Sequence, residues 1–432
     1  MKKVVVVALA LYPFLLSPSV WAKHSHLASR THLLEDGQGK RQVLANKGIR
    51  FDANLISDTA YLISGGRNPG ARPESSAHLG LDVDLNMQTL AGWKGVNIHT
   101  QITARQGQNT SVRNLQDPMA PELSSVQVAF ARGNQGSRLS ELSIEKKFDQ
   151  HGLSIKAGRL NLGGDFDVMS CHFQNSSFCG AQMGKWQSGL WMNTPVAQWG
   201  ARVKFDIHPE LSAQIGVYEF NPDNGNAHAE GQGWSLDSQH ADGVTVPVEL
   251  IWHPQFGSHD LAGTYRAGFM WNTAHDVNNQ KNVVTGLAEN HSDGEWISIE
   301  QQLTTKAGAG SGTQQGLETF ENFTWHDQAT NKIDNTQQIG LEYVGLSDHH
   351  PHDILGLAVN RVHLNPHFVH TQELHGKHQF NARAEYNLEL NYNYNLTPWL
   401  LLRPDLQYVV HPGSSNNVNN AFVVGLTTKL VF

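Results

Sequence analysis

Charged side chains at alternate positions are the residues of this chain that could act on a solute. Arg403 and Asp405 flank Pro404, and Arg202 and Lys204 are likewise two residues apart. Alternation places each charged pair on one face of a strand. The predicted inward charges have both signs and form no basic ladder, which favours neutral polar solutes over polyanions. They are Arg50, Asp52, Glu141, Arg202, Lys204, Glu249, Arg266, Glu300, Glu342, Arg383, Glu385, Arg403, Asp405 and Lys429.

Three other interpretations of these residues stay open. The charges could pair across strands and only stabilise the wall. An enzyme would need a serine with a histidine and a carboxylate in reach, but no Gly-x-Ser-x-Gly sequence occurs and we expect no catalysis. The segment 348–353, Asp-His-His-Pro-His-Asp, is dense in metal-ligand types, although a turn around Pro351 explains it equally well. We therefore expect neither a metal nor another cofactor.

Strands with two different faces must position these charges. From 381 to 396, apolar residues occupy the even positions, and Arg, Glu and Asn occupy the odd ones. The segment 399–410 repeats this pattern, with a local bulge expected at Pro404 because proline lacks an N–H donor. One apolar face and one polar face suit a strand between lipid and water. The sequence therefore predicts an all-β, antiparallel transmembrane barrel.

Sixteen strands account for the alternating segments. The segment Ser124 to Ala131 also alternates, but counting it as a strand would disturb the order of long and short connections, so we assign it to a loop. Sixteen strands leave an aqueous channel, which points to diffusion. The predicted strands are 47–58, 78–88, 95–105, 139–148, 152–160, 196–208, 210–220, 243–253, 261–273, 294–304, 316–326, 336–346, 353–363, 381–395, 398–410 and 420–432.

The long connection 161–195 is the best candidate for a loop that narrows the channel. It contains both cysteines of the chain, Cys171 and Cys179, which we expect to form a disulfide in an exported protein. It also contains Trp186 and Trp191, whose rings could stack on the apolar faces of sugars. The alternative for each tryptophan is packing of the loop against the barrel wall.

The start of the chain indicates export. Met1 and two lysines precede an apolar run of signal-peptide length, so we expect a signal peptide at 1–22 and a periplasmic segment at 23–46 before the barrel, 47–432. Removal of Lys2 and Lys3 changes the formal net charge from −8 to −10, which argues against nucleic acid as a partner. A mean hydropathy of −0.40 excludes a bundle of transmembrane helices but not a barrel. The final alternating strand ends at Phe432, as outer-membrane strands do.

Six segments resemble the carbohydrate-selective porins of the OprB type. The C-terminal one, NYNYNLTPWLLLRPDLQYVVHPG, is the most specific. The resemblance implies an outer-membrane porin through which glucose and other small sugars diffuse passively. The alternative is a general porin or one for small organic acids. The six segments are 391–413, 422–428, 39–49, 138–145, 156–161 and 171–180.

The resemblance also implies a constriction of arginine and glutamate side chains with aromatic residues. Matching its motifs assigns this role to Glu141, Arg159, Arg202 and Arg403. Expected partners are small sugars, outer-membrane lipid and the outer-membrane assembly machinery, which would bind the strand ending at Phe432. A homo-oligomer and a monomer both remain open. Together with the inward charges and the loop tryptophans, the predicted solute path comprises Glu141, Arg159, Trp186, Trp191, Arg202, Lys204, Arg403 and Asp405.

Overall fold

Sixteen long antiparallel strands dominate a computed structural model of the chain. The structure describes residues 30–35, 37, 39–129, 136–149, 152–186, 189–225, 232–275, 280–306, 308, 313–377, 380 and 384–432. The expected signal peptide at 1–22 lies outside the described residues, as does part of the 23–46 segment. The strands are β1 Ile49–Gly66, β2 Glu74–Asn86, β3 Val96–Gly107, β4 Ser137–Phe148, β5 Leu153–Leu160, β6 Gln198–His208, β7 Leu211–Glu219, β8 Val244–Trp252, β9 Leu261–Asn272, β10 Ser292–Gln302, β11 Gly316–His326, β12 Ile333–Val344, β13 Ile354–Leu364, β14 Ala384–Thr397, β15 Leu400–Val410 and β16 Asn419–Val431.

The strands close into a barrel because the first pairs with the last. Each strand pairs with its neighbours in sequence, and β1 also pairs with β16, from Asn54 opposite Val431 to Gly66 opposite Asn419. A two-residue strand, Gln255–Phe256, pairs with the start of β9. The predicted closed sixteen-stranded antiparallel barrel is therefore confirmed.

Side-chain alternation separates an apolar outside from a polar inside. In β14, Glu389 is 0% exposed while its neighbours Leu388 and Leu390 are 44% and 43% exposed. The same reversal, with apolar residues on the surface and polar residues buried, recurs around the barrel. It is the arrangement expected for a barrel surrounded by lipid.

Two local expectations from the sequence were wrong. The connection predicted at 59–77 shrinks to 67–73 because β1 continues to Gly66 and packs against both of its neighbours. Pro404 forms no bulge, since β15 keeps one register with β16 through Arg403, Pro404 and Asp405. Its ring projects outward in the alternation, so only the missing N–H donor disturbs the ladder.

Short helices occupy the ends of the barrel. Helix α1, Lys40–Asn46, precedes β1; α2, Met87–Ala91, joins β2 to β3; α3, Met183–Trp186, lies in the β5–β6 connection; and α4, Pro366–Leu374, follows β13. No helix among the described residues is long and apolar enough to cross a bilayer. We call the end at which α1 and α2 lie the turn end, and the opposite end the loop end.

Candidate functional site

The connection 161–197, here the long inner loop, folds into the barrel. The Asp167 N–H donates to Glu249 of β8 (2.9 Å), and the Gln174 N–H donates to Glu389 of β14 (2.7 Å). Inside it, Cys171 and Cys179 form the predicted disulfide. The loop therefore lines the lumen instead of projecting into solvent.

A second loop also enters the lumen and was missed at the sequence level. We call the segment 108–129 the second inner loop. The buried Gln127 side chain donates to the carbonyl oxygen of Asp58 on β1 (2.8 Å), and the Ala129 N–H donates to the Asp58 carboxylate (2.7 Å). The two loops meet where the Ser176 N–H donates to the Ser125 carbonyl oxygen (2.8 Å). Residues 124–129 thus lie in a loop, as predicted, but inside the barrel.

The two loops cover one side of the lumen. We call the inner faces of β7–β16 and β1 the covered wall, because the inner loops bind along all of this arc. The inner loops approach the strands of the covered wall so closely that small residues are required there. A Cβ atom at Gly356 of β13 would lie 2.9 Å from the Phe173 ring, and one at Gly425 of β16 would overlap the Asp405 carboxylate and the Gln174 amide. Inward glycines therefore admit the long inner loop.

The turn-end half of the inner faces of β2–β6, here the open wall, carries a network of ion pairs. The Lys156 ammonium lies 2.8 Å from Glu141 and 3.2 Å from Asp165 of the long inner loop. The Arg202 guanidinium lies 2.6 Å from Glu145. Three acids and two bases make up this network, so it offers both donors and acceptors with a small excess of negative charge.

Two cavities lie along the inner face of β3. The lower cavity, about 430 Å³, lies towards the turn end. The upper cavity, about 580 Å³, lies towards the loop end and is bounded by Arg105, the disulfide and both inner loops. Volumes of this order hold small organic molecules. Charged side chains that line the lower cavity are Asp84, Glu141, Glu145, Lys156, Asp165 and Arg202.

Burial displaces the pKa values of titratable groups in the long inner loop. Burial raises the pKa of Asp167 to about 7, although Met183 and Asn322 donate to its carboxylate. Burial lowers the pKa of Lys185 to about 7, while its ammonium contacts the carbonyl oxygens of Ser176 and Cys179. Burial also acts to lower the pKa of His172, but the hydrogen bond to Glu342 and the negative charge of that carboxylate together outweigh it and raise the pKa.

Comparison with known proteins shows which family has this architecture. The model of the carbohydrate-selective porins, OprB family, matches residues 72–432. Porin B of Pseudomonas aeruginosa is 36% identical over 420 residues, which are 93% of this chain and 91% of that protein. The putative porin QuiX of Acinetobacter baylyi is 33% identical over 417 residues, 93% of each chain. The high-pH structure of Pseudomonas putida OprB is 35% identical, covers 94% of this chain and 99% of that chain, and superposes with a TM-score of 0.86.

The chain belongs to the OprB family of carbohydrate-selective porins. This confirms the resemblance drawn from the sequence, and with it a channel function instead of catalysis. In this porin the two cavities along β3 are spaces that the inner loops border without filling.

Three of the predicted path residues lie together on the open wall. Glu141 and Arg202 line the lower cavity, and Lys204 faces inward two residues beyond Arg202. Arg159 does not lie with these three residues on the open wall. It pairs with Trp199, which is 37% exposed on the outer face, and its guanidinium contacts Asn224 of the β7–β8 connection. Arg159 therefore lies on the outward side of β5, near the loop end.

The other four predicted path residues belong to the covered wall or to the loop packed on it. The Arg403 guanidinium donates to the Phe173 carbonyl oxygen (2.7 Å), and Asp405 accepts from Gln407 (2.7 Å). Trp191 is 2% exposed and packs on Trp296, with ring centroids 5.4 Å apart. Trp186 is 4% exposed and packs in an apolar cluster with Leu123, Ile333, Val362, Leu364 and Val369. The packing alternative describes both tryptophans.

Four charged residues of the lower cavity were absent from the predicted path. Three of them, Asp84, Glu145 and Lys156, face inward on strands, and strict alternation could have found them. Asp165 could not have been found in this way, because it lies in the long inner loop and reaches Lys156 only through the folding of that loop.

No metal centre emerges from the described residues, which contain no group of three or more His, Cys, Asp or Glu side chains arranged to hold an ion. In the 348–353 turn, the exposed Asp348 carboxylate instead lies 2.6 Å from the Lys306 ammonium. The arrangement that remains is a polar passage lined by both acids and bases, which can exchange hydrogen bonds with a hydroxyl-rich solute.

Proposed function

We propose that glucose and other small sugars diffuse passively through the lumen along the open wall. One observation supports this path most directly: the ion-pair network of Glu141, Lys156, Asp165 and Arg202 lines a cavity of about 430 Å³ on the side that the loops leave free. Sugar hydroxyl groups both donate and accept hydrogen bonds, so paired acids and bases suit them. Within this path, Glu141, Arg202 and Lys204 are the predicted residues that we retain.

The proposed setting is the bacterial outer membrane. Exposed apolar side chains around the barrel, such as Leu250, Leu357 and Leu390, would contact lipid. Residues 1–22 would direct export, and 23–46 would lie at the periplasmic end. There the Arg41 guanidinium donates to the carbonyl oxygens of Phe51 and Phe432, joining the first and last strands. The strand ending at Phe432 would engage the assembly machinery during insertion, and the barrel could act alone or as a homo-oligomer.

Single-channel recordings in planar bilayers test this proposal. The purified porin is recorded alone and then with glucose, maltose or succinate. We expect sugars, and not succinate, to reduce the ion current, because a sugar in the lower cavity displaces conducting ions. Arg202→Gln should weaken the sugar effect, since Glu145 loses its 2.6 Å partner. Block by succinate alone would instead identify a channel for organic acids.

A further inference from the structure

Four inward glutamates bind successive residues of the long inner loop, and we call them the glutamate ladder. Glu249 of β8 accepts from the Asp167 N–H (2.9 Å), and Glu300 of β10 accepts from the Ser170 N–H (3.0 Å). Glu342 of β12 contacts the His172 Nδ1 (2.8 Å). Glu389 of β14 accepts from both Gln174 N–H and Asn175 N–H, each at 2.7 Å.

The four glutamates of the ladder lie in the same order around the wall as the residues that they bind lie along the loop. The bound residues run from Asp167 to Asn175, while the glutamates occupy every second strand from β8 to β14. Eight residue steps span at most about 28 Å when fully extended. Six strand spacings along the wall amount to about 29 Å. The fully extended segment and the arc of wall are thus of similar length, and the four glutamates bind the segment at intervals along that arc.

Two of the ladder carboxylates, those of Glu249 and Glu389, are fully engaged by the protein. Glu249 is 1% exposed and also accepts from the Trp296 indole and the Gln214 amide. Glu389 is 0% exposed and accepts a further bond from Asn391. Buried main-chain N–H groups need acceptors, and a carboxylate makes the stronger, charge-assisted kind of bond. Glu249 and Glu389 are therefore committed to the loop and its surroundings instead of to a solute.

We propose that Glu249, Glu300, Glu342 and Glu389 are positioning residues that fasten the long inner loop to the covered wall and so set the largest sugar that passes. The physical reason is geometric. Asp165, two residues before the first bound residue, forms one side of the lower cavity, so the distance between loop and open wall depends on how tightly the loop is held. This inference rests on the diffusion path proposed above.

Glu389→Gln is the sharpest test, because one residue accepts two main-chain N–H groups. Glutamine has a single side-chain oxygen, and its NH₂ group would face the Gln174 or Asn175 N–H, donor against donor. Glu318→Gln is the matched control: Glu318 faces inward on β11 and pairs with Glu342 across the strands. No hydrogen bond joins Glu318 to the loop within the described part of the chain.

Two measurements on the full-length porin separate the outcomes. Hydrogen–deuterium exchange of the 167–175 segment should become about ten- to a hundredfold faster in Glu389→Gln, the factor expected for loss of a charge-assisted hydrogen bond. Liposome swelling with glucose, maltose, raffinose and stachyose should show the larger sugars entering several-fold faster. The Glu318→Gln control should match the unmodified porin in both measurements.

Heat-modifiable migration on gels establishes that each variant forms a barrel. If Glu389→Gln does not fold, Glu300→Gln removes a less buried rung and should show the same two effects more weakly. If the variant folds and shows the same hydrogen–deuterium exchange of 167–175 and the same sugar size limit as the unmodified porin, the proposed role of the ladder is wrong. An unmodified porin that admits no sugar would instead overturn the proposed function, while the exchange measurement would still test how the loop is held.

Discussion

The open wall and the covered wall are built from the same strand pattern, yet their inward acids have different partners. On the open wall, Glu141 and Glu145 meet the side-chain cations Lys156 and Arg202. On the covered wall, Glu389 meets main-chain N–H groups of the long inner loop. The first arrangement leaves a lined space, whereas the second fills the space with backbone.

This difference shows that an inward charge has no fixed role in a barrel of this width. A loop that enters the lumen brings main-chain N–H groups away from water, and each needs an acceptor. Carboxylates on the wall beneath the loop supply it, while those elsewhere stay available to counter-ions and solutes. The following predictions test this contrast, beginning with the largest expected effect.

A methyl group added under the loop should damage the covered wall much more than the open wall. Gly425→Ala would press against the Asp405 carboxylate and the Gln174 amide, which cannot both retreat, and should cost about 1–3 kcal/mol or more of unfolding free energy. Gly80→Ala is the matched change on β2, where the nearest atom is the end of the Asn54 side chain at 3.1 Å. Thermal unfolding followed by gel migration compares them, and equal destabilisation would contradict the contrast.

Removal of the disulfide should loosen only the covered side. Replacing Cys171 and Cys179 together by serine opens a ring of nine residues and should cost about 2–3 kcal/mol in the chain-entropy account. Faster proteolysis within 171–185 is the expected result, because the carbonyl oxygens that Lys185 contacts lie inside this ring. Exchange in the open-wall strands β4 and β5 serves as the control and should not change.

The stability of the long inner loop should pass through a minimum near pH 7. The pKa of Asp167 is about 7 in the folded protein against an ordinary value of 3.8, so the folded state binds the extra proton and stability falls as pH rises between these values. The pKa of Lys185 is about 7 against 10.5, so the unfolded state binds the extra proton and stability recovers from pH 7 towards pH 10.5. Each limb has a slope of at most about 1.4 kcal/mol per pH unit.

Hydrogen exchange of the loop between pH 5 and pH 10, corrected for the intrinsic rates, measures this minimum. Asp167→Asn should flatten the acid limb only, and Lys185→Met the alkaline limb only. A monotonic dependence in the unmodified porin would be evidence against both assignments.

The smallest effect is expected from Lys204 on the open wall. Among the described residues it makes no ion pair within 4 Å, so Lys204→Gln should leave the unfolding free energy within about 0.5 kcal/mol and shift ion selectivity slightly towards cations. Lys156→Gln should shift it further, because Glu141 and Asp165 lose their shared partner. Reversal potentials in a KCl gradient give both values, and a larger shift for Lys204 would reverse the comparison.

The sequence predicted the strands of this porin better than its loops. Alternation in segments such as 384–397 was sufficient for sixteen strands, and the paired cysteines were sufficient for the disulfide. The second inner loop was missed as a lumen element, because none of its residue types distinguishes a loop inside the barrel from one outside it. For the long inner loop a usable signal was present: Gly356 and Gly425 interrupt the polar inward pattern where that loop approaches the wall.

Only part of the candidate site was predicted, because alternation assigns the inward strand residues but not the packing of loop residues. Glu141, Arg202 and Lys204 lie on the open wall because alternation alone assigns them inward. Arg159 shares the family motif but lies opposite Trp199 on the outer face. The aromatic rings of Trp186 and Trp191 pack against the barrel wall, which composition could not distinguish from contact with a solute.

Which residues face outward and which face inward can be read from the amino-acid sequence, because successive side chains of a strand point to opposite sides whatever lies beyond them. Which inward charges hold a loop and which line the passage depends on contacts that form only in the folded barrel. Those partners are far apart in the chain, as Gln174 and Glu389 are at a separation of 215 residues. No local pattern encodes such a contact, since it exists only once the barrel closes and the loop lies against its wall.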